Sequence, residues 1–293
     1  MDIFFTLAQL LITGILLGGV YAVMASGLSL IFGVVRVLQI SHSVLIILGC
    51  YFSYSAHTYL SLDPILSLLI TMPIMFFIGI AIYRFVVAPL KDAPAVAVLL
   101  AFFGLILALE NTIGLIWTSN YNAIHSAYQG KSFLFLGFDF SLPKAIAFGL
   151  ACLVILSLLL FLRSTETGRA IRAVSQDRDT AEILGVDVDK IFVIVFGISA
   201  TLAAVGGSLM GIIYSFYPAL HWSWLGVVFS VVVLGGLGQV GGAIIAALII
   251  GIAETLAAYY MGSAWGPFIA FAILIITLVQ RPQGILGIKG QRF

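Results

Sequence analysis

Long apolar stretches separated by short polar segments fill almost all of this 293-residue sequence. Hydrophobic residues make up 62% of the chain and charged residues 9%, whereas a soluble domain carries about 25% charged residues. Such a composition requires lipid as the solvent, and a helix needs about 20 apolar residues to cross a bilayer. The candidate spans are 3–32, 37–57, 65–87, 94–118, 142–162, 191–215, 224–240, 242–260 and 264–280.

We therefore expect an all-α, polytopic membrane protein that forms a single transmembrane domain over residues 1–293. About 8–10 transmembrane helices are expected, because the first run fits either one tilted helix or two short helices broken near Gly18 and Gly19. The segment GGLGQVGG at 235–242 is too rich in glycine for a plain packed helix. It predicts a tight turn or an interrupted helix, so some of the helices are expected to be short or broken.

The distribution of basic residues predicts the orientation, because cytoplasmic loops carry an excess of lysine and arginine. Residues 163–190 contain five basic side chains and are expected on the cytoplasmic side, as is the short segment around Arg84 and Lys91. The loop 119–141 contains only Lys131 and is expected outside. Basic residues also mark the C-terminal tail, which is therefore expected to be cytoplasmic: Arg281, Lys289 and Arg292.

Residues 163–190 are the only long polar passage in the chain, and they are patterned as well as charged. Asp179 and Glu182 have the spacing of a capping box, with Asp179 at the N-cap. Gly185 follows as a candidate helix terminator. The pattern predicts a short helix whose Ala181 and Gly185, four residues apart, offer a smooth face to a docking partner. The alternative is a solvated loop whose charges only fix the orientation.

The sequence GRAIRAVSQDRDTAEILGVDVDKI in this passage resembles the cytoplasmic loop of permeases from branched-chain amino-acid ABC importers, the LivH-type family. Residues 27–51 and 232–256 resemble the family's N-terminal and late glycine-rich signatures, and RPQGILG at 281–287 resembles its C-terminal ending. The resemblance covers essentially the whole chain and the order of its elements. It implies a bacterial or archaeal protein of the cytoplasmic (inner) membrane.

The resemblance implies a transport subunit that is not itself an enzyme and needs no cofactor or metal. The implied partners are two ABC ATPase subunits, a second permease subunit that is homologous or identical, an extracellular solute-binding protein and membrane lipid. ATP would be hydrolysed on the ATPase chains. The near-zero net charge of +1 argues against nucleic acid as a partner. The loop 119–141 is the expected docking place for the solute-binding protein.

The resemblance also implies a coupling role for the short helix, which would sit in a groove of one ATPase and pass its motion to the spans. The residues expected to couple to the ATPase are Gln176, Asp177, Asp179, Ala181, Glu182, Leu184 and Gly185.

Polar side chains inside apolar runs are candidates for the translocation path, because such residues are costly in lipid and are often functional. Each of them could instead hold helices together through a buried hydrogen bond or ion pair, and Arg36 is an alternative partner for Glu110 or Glu254. The candidates are Ser41, His42, Ser43, Glu110, Asn111 and Glu254. Weaker candidates are Tyr21, Tyr214, His221 and Trp222.

Two other functions compete with an ATP-driven importer of branched-chain amino acids, other amino acids or related small polar solutes. A secondary transporter driven by an ion gradient could use Glu110, Glu254 and His42 as ligands, but it has no need of an ordered cytoplasmic helix. An intramembrane enzyme is suggested by Ser41-His42-Ser43, but neighbouring residues on a helix point in different directions.

Overall fold

The computed structural model of the protein describes residues 3–135, 137–281 and 283–285. It is a bundle of α-helices, so the predicted all-α, polytopic fold class is confirmed. The helices are α1 (Ile3–Val35), α2 (His42–Leu60), α3 (Leu68–Ile82), α4 (Ala95–Trp117), α5 (Leu142–Ser164), α6 (Glu166–Gln176), α7 (Arg178–Ile183), α8 (Val188–Ile213), α9 (His221–Gly235), α10 (Val240–Met261) and α11 (Trp265–Gln280). Tyr83–Val87 and Ala88–Leu90 continue α3 as a π-helical and a 3₁₀ turn, and the 3₁₀ turn Pro218–Leu220 leads into α9.

Seven helical segments in the described part of the chain are long and apolar enough to cross a membrane. The apolar helix α11 is shorter, and α2 lies inside the bundle with its first half buried. The seven candidate spans are one fewer than the lower end of the expected 8–10, and α2 and α11 are two further helices that were predicted as spans.

The structure decides between two alternatives for the first span and corrects the bounds of two others. The first run forms one continuous helix, α1, with no break at Gly18 and Gly19. The second helix starts at His42 rather than at residue 37, because residues 36–41 are not helical. The span predicted at 224–240 is α9, which starts at His221 and ends at Gly235.

Small residues allow the central helices to approach closely, as is common where lipid gives no hydrophobic drive for helix association. Helix α1 packs along α8 and α10, and α8 packs along α2 and α3. A Cβ atom built on Gly207 of α8 would collide with the carbonyl oxygen of Ile46 in α2. A Cβ atom built on Gly18 of α1 would lie 2.8 Å from the carbonyl oxygen of Ala247 in α10. The glycines of these helices therefore set the packing distance.

The predicted glycine-rich turn is confirmed between α9 and α10. Gly236 and Gly238 have φ values of 100° and 81°, a backbone conformation that favours glycine. The segment 283–285 packs against the end of α9, where the amide of Ile285 donates to the carbonyl of Leu234 at 2.7 Å. The basic tail residues Lys289 and Arg292 lie outside the described residues.

The two ends of the bundle differ. One end, called here the α7 end, carries α6 and α7. The other, called here the hairpin end, carries the antiparallel strands β1 (Ser132–Phe135) and β2 (Phe138–Ser141) within the loop 119–141. This loop is tied down, since Asn122 exchanges two backbone hydrogen bonds of 2.8 Å with Phe216 and the Tyr128 hydroxyl donates to Asp63 at 2.9 Å. This hairpin was not predicted from the sequence.

Candidate translocation and coupling sites

The segment 36–41 leads the chain from the end of α1 back into the bundle, so that α2 starts among the other helices. His42, the first residue of α2, is fully buried. Its Nε2 atom lies 2.9 Å from the carbonyl oxygen of Met24 and its Nδ1 atom 3.4 Å from Ser199 Oγ. Ser199 lies about 16 Å along α8 from Val188, at a rise of about 1.5 Å per residue. His42 therefore joins α1, α2 and α8 at depth.

A second group of polar side chains links α2 to two further helices, α9 and α4. Ser43 Oγ of α2 lies 3.3 Å from His221 Nδ1 of α9. His221 Nε2 lies 3.2 Å from Glu110 Oε2 of α4. The His221 side chain is fully buried and the Glu110 side chain is 22% exposed. We call Ser43, His221 and Glu110 the α2–α9–α4 network.

The chemistry of the α2–α9–α4 network follows from the donors and acceptors of its members. A neutral imidazole has one N–H and one bare nitrogen. If Nε2 of His221 donates to the Glu110 carboxylate, Nδ1 accepts the proton of the Ser43 hydroxyl. Glu110 is an acceptor when ionised, so its partly exposed carboxylate keeps further acceptor capacity for a cation or a hydrogen-bond donor. Asn111, the next residue, is on the exposed side of α4, where its Nδ2 donates to the Leu107 carbonyl at 2.7 Å.

The other predicted path residues do not join this network. Glu254 of α10 lies near the Tyr21 hydroxyl of α1 and against Gly266 of α11, where a Cβ atom would come within 2.7 Å of Glu254 Cγ. Its Oε2 atom is buried and has no hydrogen-bond partner among the described residues. The same holds for Ser41 Oγ. The structure thus separates the candidates into His42, the α2–α9–α4 network and Glu254.

At the α7 end, the structure corrects the predicted capping box. The N-cap of α7 is Asp177, not Asp179, and Thr180 rather than Glu182 is its partner. Asp177 Oδ1 accepts from the amides of Asp179 and Thr180 at 3.1 and 3.2 Å, and Oδ2 accepts from Thr180 Oγ1 at 2.6 Å. Hydrogen bonding by Thr180 lowers the pKa of Asp177 below its ordinary value, and the nearby charge of Arg36 acts in the same direction.

Gly185 ends α7 as predicted. Its φ is 87°, its amide donates to the carbonyl of Glu182, and the amide of Val186 donates to the carbonyl of Ala181, both at 3.0 Å. This pair of hydrogen bonds is a Schellman motif. Both ends of this short helix are therefore fixed by local hydrogen bonds, as a helix too short to be stable alone requires.

The surface of α7 differs from the predicted one. Ala181 is buried against the chain itself, so it cannot form the expected docking face with Gly185. The side chains that protrude are Ile183 and Leu184, which are 86% and 78% exposed. Gln176, Asp177, Asp179 and Glu182 are exposed around them. Two large apolar side chains, Ile183 and Leu184, are thus exposed at the end of α7 among polar and charged residues.

Several residues of these sites were missed or underrated. His221 was a weak candidate and proves central, because it holds both other members of the network. Helix α6 was not predicted, although Gly168, Ile171 and Val174 recur at helical spacing and form its buried face. No sequence signal points to Ser199 or to the Met24 carbonyl as partners of His42, because both contacts depend on how the helices pack.

Comparison with known proteins finds the same kind of protein through a family model and through individual relatives. A family model described as branched-chain amino acid transport system / permease component matches residues 10–278. The high-affinity branched-chain amino acid transport system permease proteins LivH of Salmonella typhimurium and BraD of Pseudomonas aeruginosa are each 30% identical, with 95% of each chain covered. The probable branched-chain amino acid transport permease protein LivH of Methanocaldococcus jannaschii is 30% identical over 95% of this chain and 92% of its own. No solved structure matches.

Proposed function

The chain belongs to the family of permease components of branched-chain amino acid transport systems, and we propose that it forms half of the translocation path of an ATP-driven importer for branched-chain or other amino acids. It is a multi-pass membrane protein and a transport subunit, not an enzyme, so ATP hydrolysis lies with separate partner subunits. Family membership supports this function over an ion-gradient-driven transporter.

The observation that carries the coupling part of the proposal is the exposure of Ile183 and Leu184 at the end of α7. Large apolar side chains beside charged ones at an aqueous surface favour a protein partner that covers them. The two capped ends hold α7 in one conformation, so a partner bound there can push or pull α7 as a unit. We assign this surface to an ABC ATPase subunit, with the solute-binding protein at the hairpin end and the C-terminus on the cytoplasmic side.

The α2–α9–α4 network is the best candidate for the path. It lies in the hairpin half of α4, since Glu110 is about 10 Å from Trp117 at the end of that helix. Glu110 keeps acceptor capacity there, and the ammonium group of an amino acid is the complementary donor. His42 has both ring nitrogens engaged inside the bundle, so we assign it a role in holding α1, α2 and α8 together.

Two copies of the path-forming subunit, or this chain with a homologous permease, are proposed for each transporter. One chain contains one α7, whereas an ATPase dimer offers two grooves. The branched-chain amino acids named for the relatives are the first substrates to test, and the solute-binding protein is the chain expected to select among them.

The test is uptake by vesicles that contain the chain with its second permease and ATPases. Radiolabelled leucine, presented with the binding protein on the hairpin side, is expected to enter only when ATP is on the α7 side. Ile183→Ser combined with Leu184→Ser is expected to abolish co-purification of the ATPases and reduce uptake to background. The matched control is Arg172→Ser on the exposed face of α6, which should change neither.

Two results would overturn the proposal. Uptake that follows an imposed ion gradient without ATP would make the chain a secondary transporter. Full ATP-driven uptake and ATPase binding by the Ile183→Ser, Leu184→Ser variant would move the coupling surface away from α7.

A further inference from the structure

A cavity of about 350 Å³ opens at the α7 end between α1, α4, α7 and α8. It lies apart from the α2–α9–α4 network and from the exposed tip of α7. Its walls come from the end of α1, the segment after it, the turn that follows α3 and the first turns of α4 and α8. Neither the transport path nor the coupling surface uses this cavity.

The rim of the cavity is positively charged. Arg36, Lys91 and Arg178 line it together with one acidic residue, Asp189. In the described part of the chain none of the three cations has a carboxylate within 4.0 Å. Asp189 contributes one negative charge to the rim, and its Oδ1 atom accepts from the Tyr83 hydroxyl at 3.1 Å. The rim therefore offers three basic groups from three separate elements to an anion.

Other acids nearby offset part of this charge but make no direct ion pair with the three cations of the rim among the described residues. Asp177 lies close enough to Arg36 for its pKa to respond, but both of its carboxylate oxygens are used in the cap of α7. Arg178 has its guanidinium 5.3 Å from the centre of the Phe192 ring, which positions the cation without a counter-ion. Asp92 follows Lys91 in the chain and does not line the cavity.

The inner wall of the cavity is apolar and continues to a surface suited to lipid. The apolar lining includes Val87, Leu90, Val98 and Leu99. On α4, the neighbouring Val96 and Leu100 are 66% and 65% exposed, as lipid-facing residues of a span are expected to be. A ligand that fits must have an anionic head for the rim and an apolar part that reaches toward the acyl chains.

We propose that this cavity binds the phosphate head group of an anionic phospholipid, with its acyl chains along the first turns of α4. Basic pockets between transmembrane helices on the cytoplasmic side recognise such head groups through the negative surface of that leaflet. The proposal rests on the orientation given under the proposed function. Because Arg178 is the first residue of α7, a bound head group also holds the start of the coupling helix.

The test uses the purified full chain in a neutral detergent, with dioctanoyl phosphatidylglycerol, dioctanoyl phosphatidylcholine and inorganic phosphate as probes. Native mass spectrometry counts bound lipid, and the thermal unfolding midpoint reports binding independently. Phosphatidylglycerol is expected to bind about tenfold more tightly than phosphatidylcholine. The combined change Arg36→Gln, Lys91→Gln and Arg178→Gln is expected to remove this preference.

The charge-matched control changes Arg84, Arg163 and Arg172 to Gln, three basic residues that do not line the cavity. It should keep the preference for phosphatidylglycerol, and an equal loss in both triple variants would overturn the proposal as general electrostatics. Val98→Phe keeps every charge and fills the apolar wall, so it should weaken phosphatidylglycerol and leave phosphate unaffected. Complete displacement of the lipid by inorganic phosphate, or no effect of Val98→Phe, would assign the rim to free phosphate and overturn the lipid site.

These measurements do not depend on transport, so they separate this proposal from the proposed function. If the chain fails to import amino acids with its partners but binds phosphatidylglycerol through Arg36, Lys91 and Arg178, only the proposed importer function is contradicted. If the chain imports amino acids but does not prefer phosphatidylglycerol, only the proposed lipid site is contradicted.

Discussion

His221 Nε2 lies 3.2 Å from Glu110 Oε2, which joins the first residue of α9 to a helix that otherwise packs loosely. Helix α4 buries only Phe102, Ile106 and Ile113 completely among its described residues. A polar contact at depth is therefore one of the few fixed points between α4 and the rest of the bundle. In the proposed transport path, a substrate group that competes for the carboxylate would weaken this contact.

Glu110→Gln is expected to reduce ATP-driven uptake about tenfold or more. The change keeps the shape of the side chain and removes its charge, and a hydrogen bond to a charged group contributes about 1.5–3 kcal/mol. Initial uptake rates in vesicles measure the effect, together with the thermal unfolding midpoint of the purified variant.

The matched control for Glu110 is Glu254→Gln, a second acid inside a span that contacts α1 and α11 instead of the network. We expect Glu254→Gln to lower the midpoint more than the rate. Normal uptake by Glu110→Gln, or a rate that falls only in step with stability, would show that Glu110 merely holds α4 in place.

Asp177→Ala is expected to loosen α7, because it removes the acceptor for the Asp179 and Thr180 amides. Hydrogen exchange at these two amides should become several-fold faster, which mass spectrometry of the 176–186 peptide can measure. Asp179→Ala is the control that distinguishes the observed cap from the one predicted by sequence. If these amides exchanged more slowly in Asp177→Ala than in Asp179→Ala, that result would contradict the observed cap.

The cap should also depend on pH. The pKa of Asp177 is lower in the folded chain, mainly through the hydrogen bond from Thr180, so the ionised form stabilises α7. This stabilisation is complete above the ordinary aspartate pKa of about 3.9 and is lost as the pH falls through the lowered folded value. The protection factor of the Thr180 amide should therefore be constant above the ordinary aspartate pKa and decrease as the pH falls below it. Asp177→Asn keeps an acceptor but does not titrate, so its protection should be flat over the same range.

Gly185→Val is expected to unravel the end of α7, because a φ of 87° costs a residue with a Cβ atom about 1–2 kcal/mol. No other atom lies within 4 Å of a Cβ built there, so strain in the backbone and not a collision is the cause. Gly185→Asn should be tolerated better, since Asn also occurs in this position. The readout is ATPase co-purification, and equal binding by both variants would argue against a rigid α7.

The end of α7 could be predicted from sequence and its start could not, for a physical reason. No other glycine lies close to the end of α7 in the sequence, so Gly185 is the residue that can adopt the left-handed conformation there most easily. At the start, Asp177 with Thr180 and Asp179 with Glu182 have the same spacing, and local pattern cannot choose between them. The choice depends on where α6 ends, and α6 itself is stabilised by packing its Ile171 and Val174 against the bundle.

The buried network illustrates a second limit. Apolar runs predict that Glu110 and Ser43 are inside spans, because the cost of polar atoms in lipid is a local property. They do not predict that His221, 111 residues away from Glu110, is the partner, because that pairing depends on the crossing of α4 and α9. The same holds for Arg36, which was one conceivable partner for an intramembrane acid and instead lines the cavity at the α7 end.

Gly207→Ala is expected to destabilise the protein by about 1–3 kcal/mol, the usual cost of overpacking a close contact. A Cβ atom on Gly207 would collide with the backbone of Ile46, and backbone cannot move aside as a side chain can. Two hydrogen bonds also join α2 and α8 here: Cys50 Sγ lies 2.9 Å from the Gly207 carbonyl oxygen, and Ser208 Oγ lies 3.2 Å from the Gly49 carbonyl oxygen. Thermal unfolding of the purified chain in detergent measures the change.

The control for this packing prediction is Gly149→Ala in α5, where no atom lies within 4 Å of the added Cβ. Alanine favours a helix over glycine by about 1 kcal/mol in water, so this variant should unfold at the same temperature or higher. Both changes add one methyl group to a membrane helix, and only the neighbouring backbone differs. Equal midpoints for Gly207→Ala and Gly149→Ala would contradict this prediction, because they would show that α2 and α8 can move apart without loss of stability.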